Sequence, residues 1–497
     1  MLALCFPRYG HPAVAWVALV PLLIALSGWR GRPGVLKGQP ALRAFALGLT
    51  TGIVYFVGTV YWTGAVLSTF GGLPGVLAVV AVVLLASYLA IYLAIFAVIF
   101  ARLVARGGTS ALLLAPPAWV VLEFARGTVF GGFPWVPLGN SQVTVLPVVQ
   151  IASLFGVYGV SMIVALVNAA IAFALLEPSR ARIKVVAGTA ALLVAVAAWG
   201  TWRVADSSLT RQGTPLRVGL IQGNIAQEDK WNPREARRIF TTYIAMTRDA
   251  VRRGAQWVIW PESSTPFTLG EDPTGDQQVR ALAQEVGVPI LIGSDEIVHS
   301  TPPASYNSAF QMGPDGRTAA VYRKMHLVPF GEFIPLQQWI SFVAPLVKRL
   351  MPFSEGESSV MLPVGPHRAS TSICYEVVFP SLVRDAVNMG SELLTTITND
   401  GWYGNSSAPF QHFELASMRA IEQGRYLARA ANTGISGVVD PYGRVVARSG
   451  IFEQVGMVED VRFLSTRTMY ARVGDIVVYA SIVITIVALV AVRKQRA

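Results

Sequence analysis

From Ala44 to Ala101 the chain carries no charged residue. A helix crossing the hydrocarbon core of a bilayer needs about 20 mostly apolar residues, so this run is long enough for two crossings. Ser68, Gly71, Gly72, Pro74 and Gly75 interrupt it and divide it into spans near 44–66 and 76–101. The same reading finds spans at Ala13–Trp29, 109–126, 147–176, 185–202 and Ile476–Val492, seven in all. Met1–Phe6 reads as the stub of a further helix. Composition agrees with a membrane protein: 53% of the 497 residues are hydrophobic and 14% charged, against roughly 25% charged in soluble domains.

The connections alternate in charge. Arg30, Arg32, Lys37 and Arg43 lie in one, Arg102 and Arg106 in another, Arg180, Arg182 and Lys184 in a third, and Arg493, Lys494 and Arg496 form the tail, while 67–75 has none. Basic connections stay in the cytoplasm, so residues 204–474 are expected on the outer side of the inner membrane. The net charge of +11 is thereby explained without nucleic acid, and no nucleic-acid partner is expected. Ionisable residues inside spans mark transport pathways. Here only Glu123 and Arg126 qualify, and at three residues apart they share a helix face and are expected to pair with each other. The bundle reads as an anchor and lipid-facing platform. Three parts follow: a transmembrane bundle over 1–203, an extramembrane domain over 204–474, and a last helix with a basic tail over 475–497.

In the extramembrane part short β-branched runs alternate with amphipathic segments. Strands are expected at 217–222, 256–261, 289–294, 306–312, 319–324, 369–374, 393–398 and within 434–448, where Pro441-Tyr442-Gly443 supplies a turn. Helices are expected at 233–253, 275–286, 380–389 and 409–424. This alternation indicates a layered α/β domain. The segment 339–353, WISFVAPLVKRLMPF, is apolar enough either to dip into a lipid interface or to cover the domain's own core.

Three expected strands end in reactive side chains: Glu262 after VIWP, Lys324 after VYR and Cys374 after TSI. Strand ends are where side chains converge above a sheet. A thiol attacks as thiolate, so it needs a base to take its proton and a cation to stabilise negative charge. Glu262 fits the base and Lys324 the cation that also steadies an oxyanion. Glu332 and Glu376 are nearby carboxylates that either support these groups or, for Glu376, face solvent. His299, His326, His367 and His412 lack metal-ligand spacing, and Cys5 and Cys374 stand too far apart in character to suggest a disulfide framework. Neither metal nor cofactor is expected.

WPESS with Glu262, YRKMHLVPFGEF with Lys324 and Glu332, and SICYE with Cys374 resemble the Glu-Lys-Cys motifs of the nitrilase superfamily. With spans before and after that domain, and with QGNIAQEDKW, FPWVPLGNSQ, WVVLEFARG and TNDGWYG, the chain resembles more narrowly the bacterial apolipoprotein N-acyltransferases. The resemblance implies an αββα nitrilase-like sandwich facing the periplasm. It also implies that Cys374 takes an acyl chain from a phospholipid as a thioester, which the α-amine of a diacylglyceryl-cysteine at a lipoprotein N-terminus then receives. Glu262 matches the base, Lys324 the oxyanion-stabilising lysine, Glu332 and Glu376 the supporting carboxylates, and Trp231 and Tyr375 substrate-site positions. The segment 339–353 would be a mobile arm near the acyl-chain entrance. The family has eight spans with both ends cytoplasmic, one more than the seven found here. The competing reading is a membrane-tethered nitrilase-type amidohydrolase with water as acyl acceptor, which the three motif residues alone do not separate.

Overall fold

A computed structural model describes residues 1–29, 32–33, 40–333 and 353–494. The chain divides into two compact units: Met1–Ala65 with Pro74–Asp206 and Arg472–Ala497, and Val66–Leu73 with Ser207–Ala471. The uncharged loop between two expected spans thus belongs to the second unit, which composition did not indicate. Of the segment 339–353, all but Phe353 lies outside the described residues.

The first unit is helical. Among the described residues, five stretches are long and apolar enough to cross a membrane: Ala41–Val60, Gly75–Gly131, Ala152–Leu176, Ala181–Thr210 and Ile476–Arg493. The 57-residue stretch takes in two of the seven expected spans, 76–101 and 109–126, and the expected span at Ala13–Trp29 falls on a shorter apolar stretch, Pro12–Ser27. The expected span at Ala13–Trp29 is a 3-10 turn, Pro12–Trp16, followed by a short helix, Val20–Ser27, because Pro12 and Pro21 each restart the chain at a helix N-terminus. The segment 109–126 is part of the run that starts at Gly75, in which helix α2 (Gly75–Gly107) passes through a 3-10 turn into helix α3 (Ala115–Thr128). Leu2–Cys5 forms a single 3-10 turn, and the long helices that follow α3 in this unit are α4 (Ala152–Leu176) and α5 (Ala181–Asp206).

Helix α1 (Pro40–Val60) packs closely on α2. Gly48 and Gly52 face Ala90, Ala94 and Ala97, and an added Cβ at Gly48 would come within 2.7 Å of the Ala97 Cβ. In lipid, where no hydrophobic force drives helices together, such small residues at four-residue spacing let the backbones approach. Glu123 and Arg126 take up roles other than the expected pairing. Glu123 Oε1 accepts hydrogen bonds from the Leu138 N–H at 2.6 Å and the Trp119 indole at 3.2 Å. Arg126 donates to the carbonyls of Phe133 at 2.6 Å and Trp135 at 2.8 Å. Non-helical backbone inside a membrane bundle must have its polar groups satisfied by protein, and these two side chains do that for the FPWVPL segment.

Among the described residues, the second unit holds two six-stranded sheets. The first runs β12-β1-β2-β3-β4-β5, with β1 Thr214–Gln222, β2 Trp257–Ile259, β3 Ile290–Val298, β4 Ala304–Met312, β5 Thr318–Arg323 and β12 Val455–Phe463. The second runs β11-β10-β9-β8-β7-β6, with β6 Leu362–Val364, β7 His367–Ile373, β8 Leu393–Thr398, β9 Leu427–Ala431, β10 Gly437–Val439 and β11 Val445–Arg448. In each, three parallel strands (β1, β2, β3 and β7, β8, β9) are flanked by antiparallel ones. Alternate residues of a strand face opposite sides. Leu216, Val218, Leu220, Trp257 and Ile259 accordingly meet Ala369, Ile373, Leu393, Ile397 and Ala428 between the sheets. Ile221, Val258, Trp260 and Ile290 turn outward, against Ile239, Phe240 and Tyr243 of helix α6 (Ala236–Arg252) and Val279 and Leu282 of helix α7 (Pro273–Val286). Asp272 caps α7 by accepting from the Thr274 and Gly275 N–H groups, as a helix N-terminus favours. Helices α8 (Pro380–Asn388) and α9 (Ala408–Gln423) accompany the second sheet. The layering is αββα, as expected.

Candidate active site

The site is built at strand ends of the two facing sheets. Glu262 follows β2, Lys324 follows β5 and Cys374 follows β7, and all three are buried. Lys324 Nζ lies 3.6 Å from Glu262 Oε1 and 2.7 Å from Glu332 Oε1. Both carboxylates are held by further donors. Asn307 in β4 donates to Glu262 Oε1 at 2.7 Å and to Glu332 Oε1 at 3.2 Å. The Asn399 N–H, just beyond β8, donates to Glu262 Oε2 at 2.8 Å, and the Val328 N–H donates to Glu332 Oε2 at 2.8 Å. Each carboxylate therefore has one oxygen turned to the Lys324 ammonium and the other fixed by backbone.

Burial alone would push Lys324 down, yet Glu332 and Glu262 outweigh it and hold the ammonium above its ordinary range. The thiol behaves oppositely. Burial and then the Glu262 carboxylate push Cys374 up to about 12, against a downward pull from Lys324. The resting sulfur is thus a thiol, beside the Glu262 carboxyl group and the Lys324 ammonium, which lie 3.6 Å from each other.

Cys374 adopts φ +53°, in the left-handed region that non-glycine residues rarely occupy. It sits where β7 turns into the 3-10 helix Cys374–Val378. Glu376 in that turn is buried, not solvent-facing: its Oε1 accepts from the Tyr322 hydroxyl at 2.8 Å and the Met325 N–H at 2.6 Å, and its Oε2 from the Ile373 N–H at 2.7 Å. One carboxylate therefore ties the residues on either side of Lys324 to the residue before Cys374. The Tyr375 ring is buried against His326 and Phe379. Trp231 is about half exposed, at 48%, and is not drawn into this cluster.

Sequence reasoning missed Asn307, Lys230 and the Asp400, His412 and Arg429 group. Lys230 Nζ, buried next to Trp231, donates to the Glu262 carbonyl at 3.0 Å, and burial pulls it down to about 8 against Glu262 and Asp295. An asparagine in the middle of a strand is disfavoured, and that was the one signal Asn307 offered. Among the described residues no His, Cys, Asp and Glu cluster is placed to hold a metal.

Residues 1–170 match the apolipoprotein N-acyltransferase N-terminal domain, and 217–463 match the carbon-nitrogen hydrolase domain. An apolipoprotein N-acyltransferase of Geobacter metallireducens is 37% identical over 100% of this chain and 94% of its own length. The chain belongs to the apolipoprotein N-acyltransferase family. Another member, from Gloeobacter violaceus, is 34% identical over 99% of this chain and 92% of its own length. Among solved structures, a Saccharomyces cerevisiae member of branch 10 of the nitrilase superfamily aligns with 50% of this chain and 90% of that one, at 19% identity and a TM-score of 0.40. As an apolipoprotein N-acyltransferase family member the chain is an acyltransferase, with a nitrilase-like domain attached to a membrane unit.

Proposed function

We propose that this acyltransferase moves a fatty acyl chain from a phospholipid, through a thioester on Cys374, to the α-amine of the diacylglyceryl-cysteine at the N-terminus of an apolipoprotein. The observation that carries the reading is the convergence of Cys374, Glu262 and Lys324 at buried strand ends in a chain whose relatives match it from end to end.

In the first half-reaction Glu262 takes the Sγ proton as sulfur attacks the ester carbonyl. Lys324 stabilises the oxyanion that forms, among buried side chains where such a charge counts most. Glu262 then returns the proton to the departing glycerol oxygen, leaving a lysophospholipid and a thioester. In the second, the neutral α-amine attacks the thioester and gives its proton to Glu262. The amide forms, sulfur leaves, and the proton passes back to it. Glu332 and Glu376 keep Lys324 and the Cys374 turn in register, and Trp231 and Tyr375 are assigned to substrate binding by their match to the family's motifs.

In this reading the transmembrane bundle covers 1–203, the catalytic domain 204–474 and the final helix and tail 475–497. The protein sits in the bacterial inner membrane with its catalytic unit facing the periplasm, supported by the basic connections at Arg102 to Arg106 and Arg180 to Lys184 and the positive-inside rule.

Replacement of the nucleophile tests the chemistry. Cys374→Ser leaves a folded, membrane-inserted protein that does not N-acylate a diacylglyceryl lipopeptide, because a hydroxyl is far less nucleophilic than a thiol in the same setting. Near-normal transfer by the serine variant would make Cys374 a core residue only.

A further inference from the structure

The left-handed conformation of Cys374 has to be held by its surroundings, and the group holding the next peptide is a histidine. His412 Nε2 lies 3.1 Å from the Cys374 carbonyl oxygen. A carbonyl can only accept, so Nε2 carries the hydrogen. On the other side of the ring, Nδ1 lies 2.9 Å from Asp400 Oδ1 and 3.1 Å from Arg429 Nη2, and the same guanidinium nitrogen donates to Asp400 Oδ2 at 2.8 Å. Thr398 donates to Asp400 Oδ1 at 3.0 Å, and Arg429 Nε to the Ile435 carbonyl at 3.1 Å. The side chains of His412, Asp400 and Arg429 have no solvent exposure. They come from α9, from the turn after β8 and from β9, so the ring is fixed from three elements.

Buried ion pairs add little stability over apolar residues of the same size, which leaves the direction of the His412 hydrogen bond as what this group supplies. A trans peptide carries its C=O and N–H on opposite sides. Drawing the Cys374 carbonyl towards α9 therefore turns the Tyr375 N–H away from it. In strand-to-helix turns that carry a nucleophile, the N–H of the following residue is an oxyanion donor.

We propose that His412 is a positioning residue for acyl transfer: it locks the peptide between Cys374 and Tyr375 so that the Tyr375 N–H, together with Lys324, meets the oxyanion. Asp400 and Arg429 act through His412 by fixing its ring. The inference rests on Cys374 being the nucleophile.

The test compares two reactions of Cys374 in the full-length protein in detergent micelles. Acylation by phospholipid passes through an oxyanion, whereas alkylation by iodoacetamide does not. His412→Leu removes the donor at similar size, and His412→Gln keeps an Nε2 donor. The leucine variant is expected to lose about 10²-fold or more in acylation, the loss seen for a single oxyanion donor, while alkylating close to the wild-type rate from neutral to alkaline pH. The glutamine variant recovers much of the acylation. Asp400→Asn, which keeps the ring and loosens it, falls between wild type and leucine, and serves if leucine prevents folding. Wild-type acylation in the leucine variant, parallel loss of both reactions, or a glutamine variant as slow as leucine would each overturn the proposal. Failure of the wild-type protein to form any acyl adduct would instead overturn the nucleophile assignment beneath it.

Discussion

Cys374 rests as a protonated thiol, because burial and the Glu262 carboxylate together outweigh Lys324 and push it up to about 12. For an acid raised this far the reactive thiolate fraction keeps growing as pH rises towards that value. Alkylation of Cys374 is therefore expected to accelerate through the alkaline range with no plateau near neutrality, and an inflection close to neutral pH would mean an ion-paired thiolate instead. The two charged neighbours act on the sulfur in opposite senses. Glu262→Gln removes a charge that holds the thiol up, so alkylation at a fixed pH becomes faster, while acyl-enzyme formation falls about 10²–10⁴-fold with the loss of the base. Lys324→Met removes a charge that holds the thiol down, so alkylation slows and acylation falls by about 10²–10³ or more. Raising the pH recovers part of the glutamine defect and less of the methionine defect. Equal recovery in acyl-enzyme assays would mean that base and electrostatic partner are interchanged. Glu262, Lys324 and Cys374 could be read from the sequence because each ends an apolar strand. Asn307 and His412 could not: their meaning lies in hydrogen bonds to Glu262 and to the Cys374 carbonyl across elements, and no spacing along the chain encodes such contacts.

Secondary elements were readable wherever burial on one face imposed a period or where β-branched residues ran together. The amphipathic helices α6 and α7 and the β-branched strands β1, β3 and β8 fall close to their expected places. Strands β6, β9 and β12 escaped, β6 being three residues long with Pro363 at its centre. Leu427–Ala431 is alanine-rich and contains Arg429, and its residues are buried throughout, so no alternation appears. Val455–Phe463 carries Glu459, Asp460 and Arg462 on an edge where β12 pairs with β1. In the membrane unit, polarity misled in another way: Glu123 and Arg126 looked like a pair on one helix face, whereas they bind the backbone of the loop that follows α3. Arg126→Met is therefore expected to strand the Phe133 and Trp135 carbonyls and lower stability by roughly 2–6 kcal/mol, since each unsatisfied buried acceptor costs about 1–3 kcal/mol. Thermal unfolding in detergent measures this, and an unchanged midpoint would remove Arg126 from the support of that loop.

At the scale of the whole molecule, orientation and chemistry stand or fall together, because the proposed lipoprotein acceptor is met outside the inner membrane. Single cysteines introduced near Asp272 are expected to react with an impermeant thiol reagent in intact cells, and one at Ser179, beside Arg180, Arg182 and Lys184, only after lysis. The reverse pattern would place the catalytic unit in the cytoplasm and sink the lipoprotein assignment. The most direct measurement is intact mass spectrometry of the purified protein, first with phospholipid alone and then with a diacylglyceryl-cysteine lipopeptide added. The account predicts a fatty-acyl adduct that maps to Cys374 and persists without acceptor, then disappears as the lipopeptide gains the same acyl chain on its amine. An adduct that water removes equally fast with or without the lipopeptide would make the protein a hydrolase, and no adduct at all would contradict a thioester on Cys374.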